Sequence, residues 1–157
     1  MNDQLNRSGI QRLLIHEMAA FSRKLRVQFD IAVRQKGLTL PRARVLFALS
    51  VRQGMTQSEL AAELDIETPT LVRLLDSMAE SGLVERRAME GDRRVKQIYM
   101  TPDGERLADE MNLFADEFRS ELTIGLNDDE LRVAQTVVHH LVDRLLAMGA
   151  SAGGESE

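Results

Sequence analysis

The chain has 157 residues and a formal net charge of −5, with 43% apolar and 29% charged residues, enough for one compact domain or a small domain with an oligomerisation element. It contains no cysteine, which excludes disulfides, thiolate metal sites and cysteine-based redox sensing. No apolar run approaches the roughly 20 residues that span a bilayer, and Met1 to Arg12 is too polar for a signal peptide, so a cytoplasmic protein without a membrane partner is expected.

In chain order, Ile10, Leu14, Met18, Phe21, Leu25, Phe29 and Ala32 recur at steps of three and four, one apolar face of a long helix. Gly37 stands where a C′ glycine would close it. Leu40-Pro41 opens a second helix through Val45, Leu46 and Leu49, ended by Gly54. Thr56-Gln57-Ser58-Glu59 reads as a capping box at the head of a short helix, Gln57 to Leu64. After the connector Asp65-Ile66-Glu67, Thr68 is expected to cap the next helix, with Pro69 at its first position, where the missing N–H costs nothing. That helix buries Leu71, Leu74, Leu75 and Met78 and stops at Gly82.

Leu83–Ala88 and Val95–Met100 are short runs of β-formers around Met89-Glu90-Gly91-Asp92-Arg93-Arg94, a hairpin signal. Thr101-Pro102 starts another helix, with the face Leu107, Met111, Phe114, Phe118 and Leu122, ended by Gly125. Asn127 and Glu130 form a second capping box, and the last helix buries Leu131, Ala134, Val137, Val138, Leu141, Leu145 and Met148. Residues 149–157 read as a frayed tail. The fold expected is mainly α with a small β-wing: an N-terminal helix over 1–36, a winged helix-turn-helix lobe over 37–101 and C-terminal helices over 102–148.

Charge is unevenly spread. Residues 1–52 carry ten Lys or Arg and three Asp or Glu, residues 53–100 six and nine, and residues 101–157 four and thirteen. If a polyanion is the partner, the acidic last third faces away from it.

Two helices joined by a tight turn and followed by a hairpin suit double-stranded DNA. The second helix can enter the major groove with its N-terminal residues at base edges, here Thr68, Pro69, Thr70 and Arg73. The amides at its start favour a phosphate. An arginine at a hairpin tip can enter a narrow minor groove, where the negative potential is deepest. Arg94 is placed for that, with Arg93 beside it, and Asp92 is placed to hold the Arg94 guanidinium by a charge-assisted hydrogen bond. Taken alone, Glu90-Gly91-Asp92-Arg93-Arg94 reads better as a solvated turn with a weak local pair; the helix-turn-helix upstream reverses that preference. Arg42, Arg44 and Ser58 are candidate phosphate contacts, and the two arginines could equally be a solvated face.

The stretches TQSELAAELDIETPTLVRLLDSMAESGLVERR at 56–87 and GDRRVKQIYMTPDG at 91–104 resemble the MarR/SlyA-type transcriptional regulators, and the flanking helices match in order over nearly the whole chain. The resemblance implies a homodimer whose N- and C-terminal helices interleave across a two-fold axis, each subunit presenting one winged helix. It implies that Arg73 is the recognition-helix arginine, Arg94 the minor-groove arginine with Asp92 as its partner, and Arg93 a phosphate contact. It further implies a transcriptional repressor on a pseudo-palindromic operator, released by a small aromatic or phenolic acid, with the effector-pocket residues unassigned. The apolar stripes of the first and last helices independently ask for a partner surface, the alternative being an intramolecular helical pair that covers itself. A winged helix used for protein contact alone is the alternative function.

Other constellations are absent. His139 and His140 point about 100° apart on a helix and cannot chelate together, and His16 stands alone, so neither a metal nor a cofactor is expected. No Ser/His/Asp order or Gly-rich phosphate loop suggests an enzyme.

Overall fold

The computed structural model describes residues 6–89 and 91–152. Among them are six helices and one three-stranded antiparallel sheet: α1 (Arg7–Gln35), α2 (Leu40–Val51), β1 (Met55–Thr56), α3 (Gln57–Leu64), α4 (Thr68–Glu80), β2 (Val84–Met89), β3 (Asp92–Met100), α5 (Pro102–Leu122) and α6 (Asp128–Ala152). This is the mainly α architecture with a β-wing that the sequence predicts. The chain divides into two compact units, one ending at Phe114 and the other beginning at Ala115.

In the first unit, the helix ends follow from their capping chemistry. Gly37 and Gly82 take positive φ (78° and 70°). Each follows a helix with two backbone bonds that close the last turn: Gly37 N–H to Arg34 and Leu38 N–H to Val33, then Gly82 N–H to Ala79 and Leu83 N–H to Met78. The capping box at Thr56 is complete: its hydroxyl accepts from Glu59 N–H (3.2 Å) while the Glu59 carboxylate accepts from Thr56 N–H (2.8 Å). The core is aliphatic. Val33, Val45, Leu46, Leu49, Leu60, Leu71, Leu75, Met78 and Ile98 are fully buried, and Phe29, Phe47 and Phe114 pack against it, the Phe29 ring centroid lying 6.3 Å from that of Phe47 and 6.1 Å from that of Phe114.

The sheet order is β1-β3-β2. β1 is a two-residue strand, Met55 opposite Ile98 and Thr56 opposite Gln97. It lies outside the sequence expectation, because two residues carry no periodicity. Gln53 accepts from Met100 N–H (2.8 Å) and Gln97 donates to the Gly54 carbonyl (2.9 Å), which fastens this edge. Gly54 has φ +74°, and a Cβ there would lie 2.7 Å from the Tyr99 hydroxyl.

The start of α5 is clamped onto the end of β2's approach. Thr101 N–H donates to the Leu83 carbonyl (3.1 Å), its hydroxyl donates to the Gly82 carbonyl (2.5 Å), and the same hydroxyl accepts from Gly104 N–H (3.1 Å). Gly104 is buried; a Cβ on it would lie 2.0 Å from the Leu83 carbonyl oxygen. The Thr-Pro-Asp-Gly run therefore encodes a cap and a close backbone approach together.

In the second unit, Asn127 and Glu130 form the reciprocal cap expected at the head of α6 (2.9 and 3.0 Å). α6 continues to Ala152, beyond Met148, where a tail was expected; residues 153–157 lie outside the described residues. Val133, Val137, Val138, Val142, Leu145, Leu146 and Met148 are all exposed along it. Among the described residues, no helix is long and apolar enough to cross a membrane.

Candidate nucleic-acid interface

α4 is the most strongly amphipathic element of the lobe. Leu71, Leu75 and Met78 are buried, whereas Pro69, Arg73, Asp76 and Glu80 follow at steps of three and four on the exposed side. The helix starts one residue earlier than its composition suggests. Glu67, with extended backbone (φ −65°, ψ 137°), is the N-cap, and its carbonyl accepts from Thr70 and Leu71 N–H. Thr68 therefore stands at the first helical position and Pro69 at the second, and Thr68 is not the cap. Among the described residues no side chain caps this end, and Thr68, Pro69 and Thr70 are exposed beside its first amides.

The preceding turn needs a left-handed residue, supplied by Asp65 (φ 51°, ψ 52°). Two arginines hold the motif together. Arg44 donates to the Leu64 carbonyl at the end of α3, and Arg42 donates to the Ser77 hydroxyl on α4 (2.5 Å). Both side chains are half-buried and engaged within the lobe, while Ser58, near the start of α3, is exposed.

The wing differs from the expected loop in an informative way. β3 begins at Asp92, directly after Gly91, which turns with φ +89°. Register runs regularly from Val84 opposite Met100 to Ala88 opposite Lys96, then jumps to Met89 opposite Asp92. Residues 93–95 thus sit on β3 with no register partner on β2 among the described residues. This break in the register takes the segment out of the regular ladder. The segment holds Arg94, which is exposed; the Arg93 side chain lies outside what the structure describes. Asp92 accepts from the backbone N–H of Arg94 (2.9 Å), where a bond to the guanidinium was expected. At a separation of two residues the short Asp side chain folds onto the local amide. Asp92 therefore shapes the main chain that carries Arg94.

Other polar contacts of the lobe were not legible as motifs. Arg86 on β2 forms an ion pair with Asp76 on α4 (2.7 Å). The Arg87 guanidinium lies over the Tyr99 ring, 4.3 Å from its centroid, and pairs with Glu85. The Thr56 backbone N–H, ahead of its hydroxyl and Arg52, holds the Glu59 carboxyl below its ordinary value. His16, His139 and His140 are exposed, and the described residues contain no cluster of three metal-ligating side chains.

Residues 36–95 match the model of the MarR family. The uncharacterized HTH-type transcriptional regulator YwoH of Bacillus subtilis (strain 168) is 30% identical over 123 residues, 78% of this chain and 89% of that protein. The solved transcriptional regulator PA3341 is 33% identical with a TM-score of 0.78, over 85% of this chain and 98% of its own. The Staphylococcus aureus MepR–DNA complex shares the fold at 24% identity, TM-score 0.68, over 90% of this chain and 99% of that one.

Proposed function

Because the chain belongs to the MarR family of transcriptional regulators, we propose that it represses transcription by occupying a pseudo-palindromic operator as a homodimer. One observation carries the DNA contacts: the same lobe exposes Arg73 on the outer side of α4 and Arg94 on the irregular segment of the wing. α4 lies in the major groove, with Thr68, Pro69, Thr70 and Arg73 toward base edges and the adjacent phosphate. Arg94 enters the flanking minor groove, Asp92 sets the backbone that presents it, and Arg93 and Ser58 meet phosphates. Arg42 and Arg44 act chiefly by fastening α3 and α4.

A dimer is supported by the apolar residues that α1 and α6 leave in water, among them Ile10, Ile15, Phe21, Val27, Leu145 and Leu146. A two-fold dimer presents two recognition helices to half-sites about one helical turn apart. A small aromatic or phenolic acid is the release signal this reading includes; it acts only through tighter binding to the DNA-free geometry. The protein works in the cytoplasm and is not an enzyme.

The test is capture of fragmented genomic DNA by the purified protein, with Arg94→Ala as control. A shared pseudo-palindrome enriched by the wild type and lost in the variant supports the reading. No enrichment, or equal enrichment by both, would leave the winged helix as a protein-contact module.

A further inference from the structure

The two candidate DNA-contacting elements are joined by one ionic contact. Asp76 lies three residues after Arg73 on the exposed side of α4, and its Oδ1 is 2.7 Å from Nη2 of Arg86. Arg86 stands on β2 in register with the buried core residue Ile98. Directly opposed residues of an antiparallel pair share one face, so Arg86 emerges on the core-facing side of the wing. This explains why its side chain is only 27% exposed while Asp76 is 52% exposed. Its Nε is buried without a hydrogen-bond partner among the described residues. Asp76 is thus the recorded anchor of a cation wedged between wing and recognition helix.

Resting on the DNA-binding reading above, we infer that the Asp76–Arg86 pair is a positioning strut: it sets the wing's angle against α4 so that Arg94 and Arg73 reach adjacent grooves together. Neither partner needs to touch DNA. A half-buried arginine deprived of its counter-charge is costly to keep in place, and it relaxes by moving out, carrying β2 with it.

Asp76 is an acidic group on the side of α4 that faces the polyanion. Removing its charge should, by electrostatics alone, tighten DNA binding. The strut predicts the reverse. In full-length protein, Asp76→Asn should weaken affinity for the captured sequence by about tenfold, within the range of interaction energies inside one ion-pair network. Arg94→Ala should then cost less in the Asp76→Asn background than in the wild type, because the wing is already misplaced. Asp76→Glu, which keeps the charge, should hold affinity near that of the wild type. Thermal unfolding of each variant accompanies the titrations, and Arg86→Gln, which removes the cation of the pair, replaces Asp76→Asn if the latter does not fold.

Weaker binding, a sub-additive double variant and rescue by Asp76→Glu at unchanged secondary structure support the strut. Unchanged or tighter binding by Asp76→Asn overturns it, as does strict additivity with Arg94→Ala. If the wild type itself shows no sequence preference and matches Arg94→Ala, the DNA-binding reading falls and the strut with it.

Discussion

Gly104→Ala sets two physical effects of opposite sign against each other. By helix propensity, alanine is better than glycine by about 1 kcal/mol in a helix interior, so an account based on sequence alone predicts a more stable protein. By packing, the new Cβ would lie 2.0 Å from the Leu83 carbonyl oxygen, a backbone atom that cannot rotate away. Relief requires the first turn of α5 to move off the Gly82-Leu83 segment by about an ångström. That movement strains the Thr101 N–H bond to Leu83 (3.1 Å) and the Thr101 hydroxyl bond to Gly82 (2.5 Å). Overpacking of this kind costs roughly 1–3 kcal/mol, and a weakened hydrogen bond about 1 kcal/mol more. The propensity gain is small in the first turn, where few helical bonds exist, so the net effect is destabilising by about 2 kcal/mol. For a chain of this length each kcal/mol lowers Tm by roughly 2–4 °C. Circular dichroism melts at fixed protein concentration should therefore show a fall of about 4–8 °C. An unchanged or raised Tm would refute the reasoning that Gly104 is required by the close approach.

Other expectations follow from the same geometry. Arg73→Ala should cost on the order of 1–3 kcal/mol in DNA affinity and relax preference at one base position; equal loss on every duplex in a binding-site selection would assign it to phosphate. Because the folded-state pKa of Glu59 is lowered from 4.5, the capping box contributes at neutral pH, and that contribution is lost as pH falls from about 4.5 through the lowered value. Acid titration of stability should show this component in the wild type and lack it in Glu59→Gln. Leu145→Asp, on the exposed apolar side of α6, should shift the proposed dimer toward monomer by at least about tenfold in light scattering, since an unpaired charge cannot be buried there; an unchanged association state would remove α6 from the proposed interface.

Much of the architecture was legible because it is locally encoded. The Thr56/Glu59 and Asn127/Glu130 boxes, and the glycines at 37 and 82, act within a few residues and stand where their spacing places them. The misses are of two kinds. Some are boundary effects: Glu67 caps α4 with its backbone alone, so no side-chain signal distinguished it from Thr68. β3 likewise starts at Asp92, and the register jump beside Met89 that leaves residues 93–95 without a partner on β2 is invisible to alternation counting. The others are long-range. β1 exists only because Met55 and Thr56 meet Ile98 and Gln97 across the sheet. The Asp76–Arg86 pair and the Gly104–Leu83 approach join residues 10 and 21 positions apart, through tertiary packing that no local pattern reports. The sequence marks Asp92 as a wing residue but not its partner, which is the Arg94 amide, since hydrogen-bond geometry at two-residue separation favours the backbone.

The most direct test of sequence-specific DNA binding is a fluorescence anisotropy titration, at one fixed salt concentration, of the captured duplex against a scrambled duplex of equal length and composition. The account predicts two protomers per captured duplex and a preference of about a thousandfold or more over the scrambled one. It further predicts that this preference collapses in Arg94→Ala while Tm is unchanged. Equal affinity for the two duplexes, or no binding to either, would contradict it.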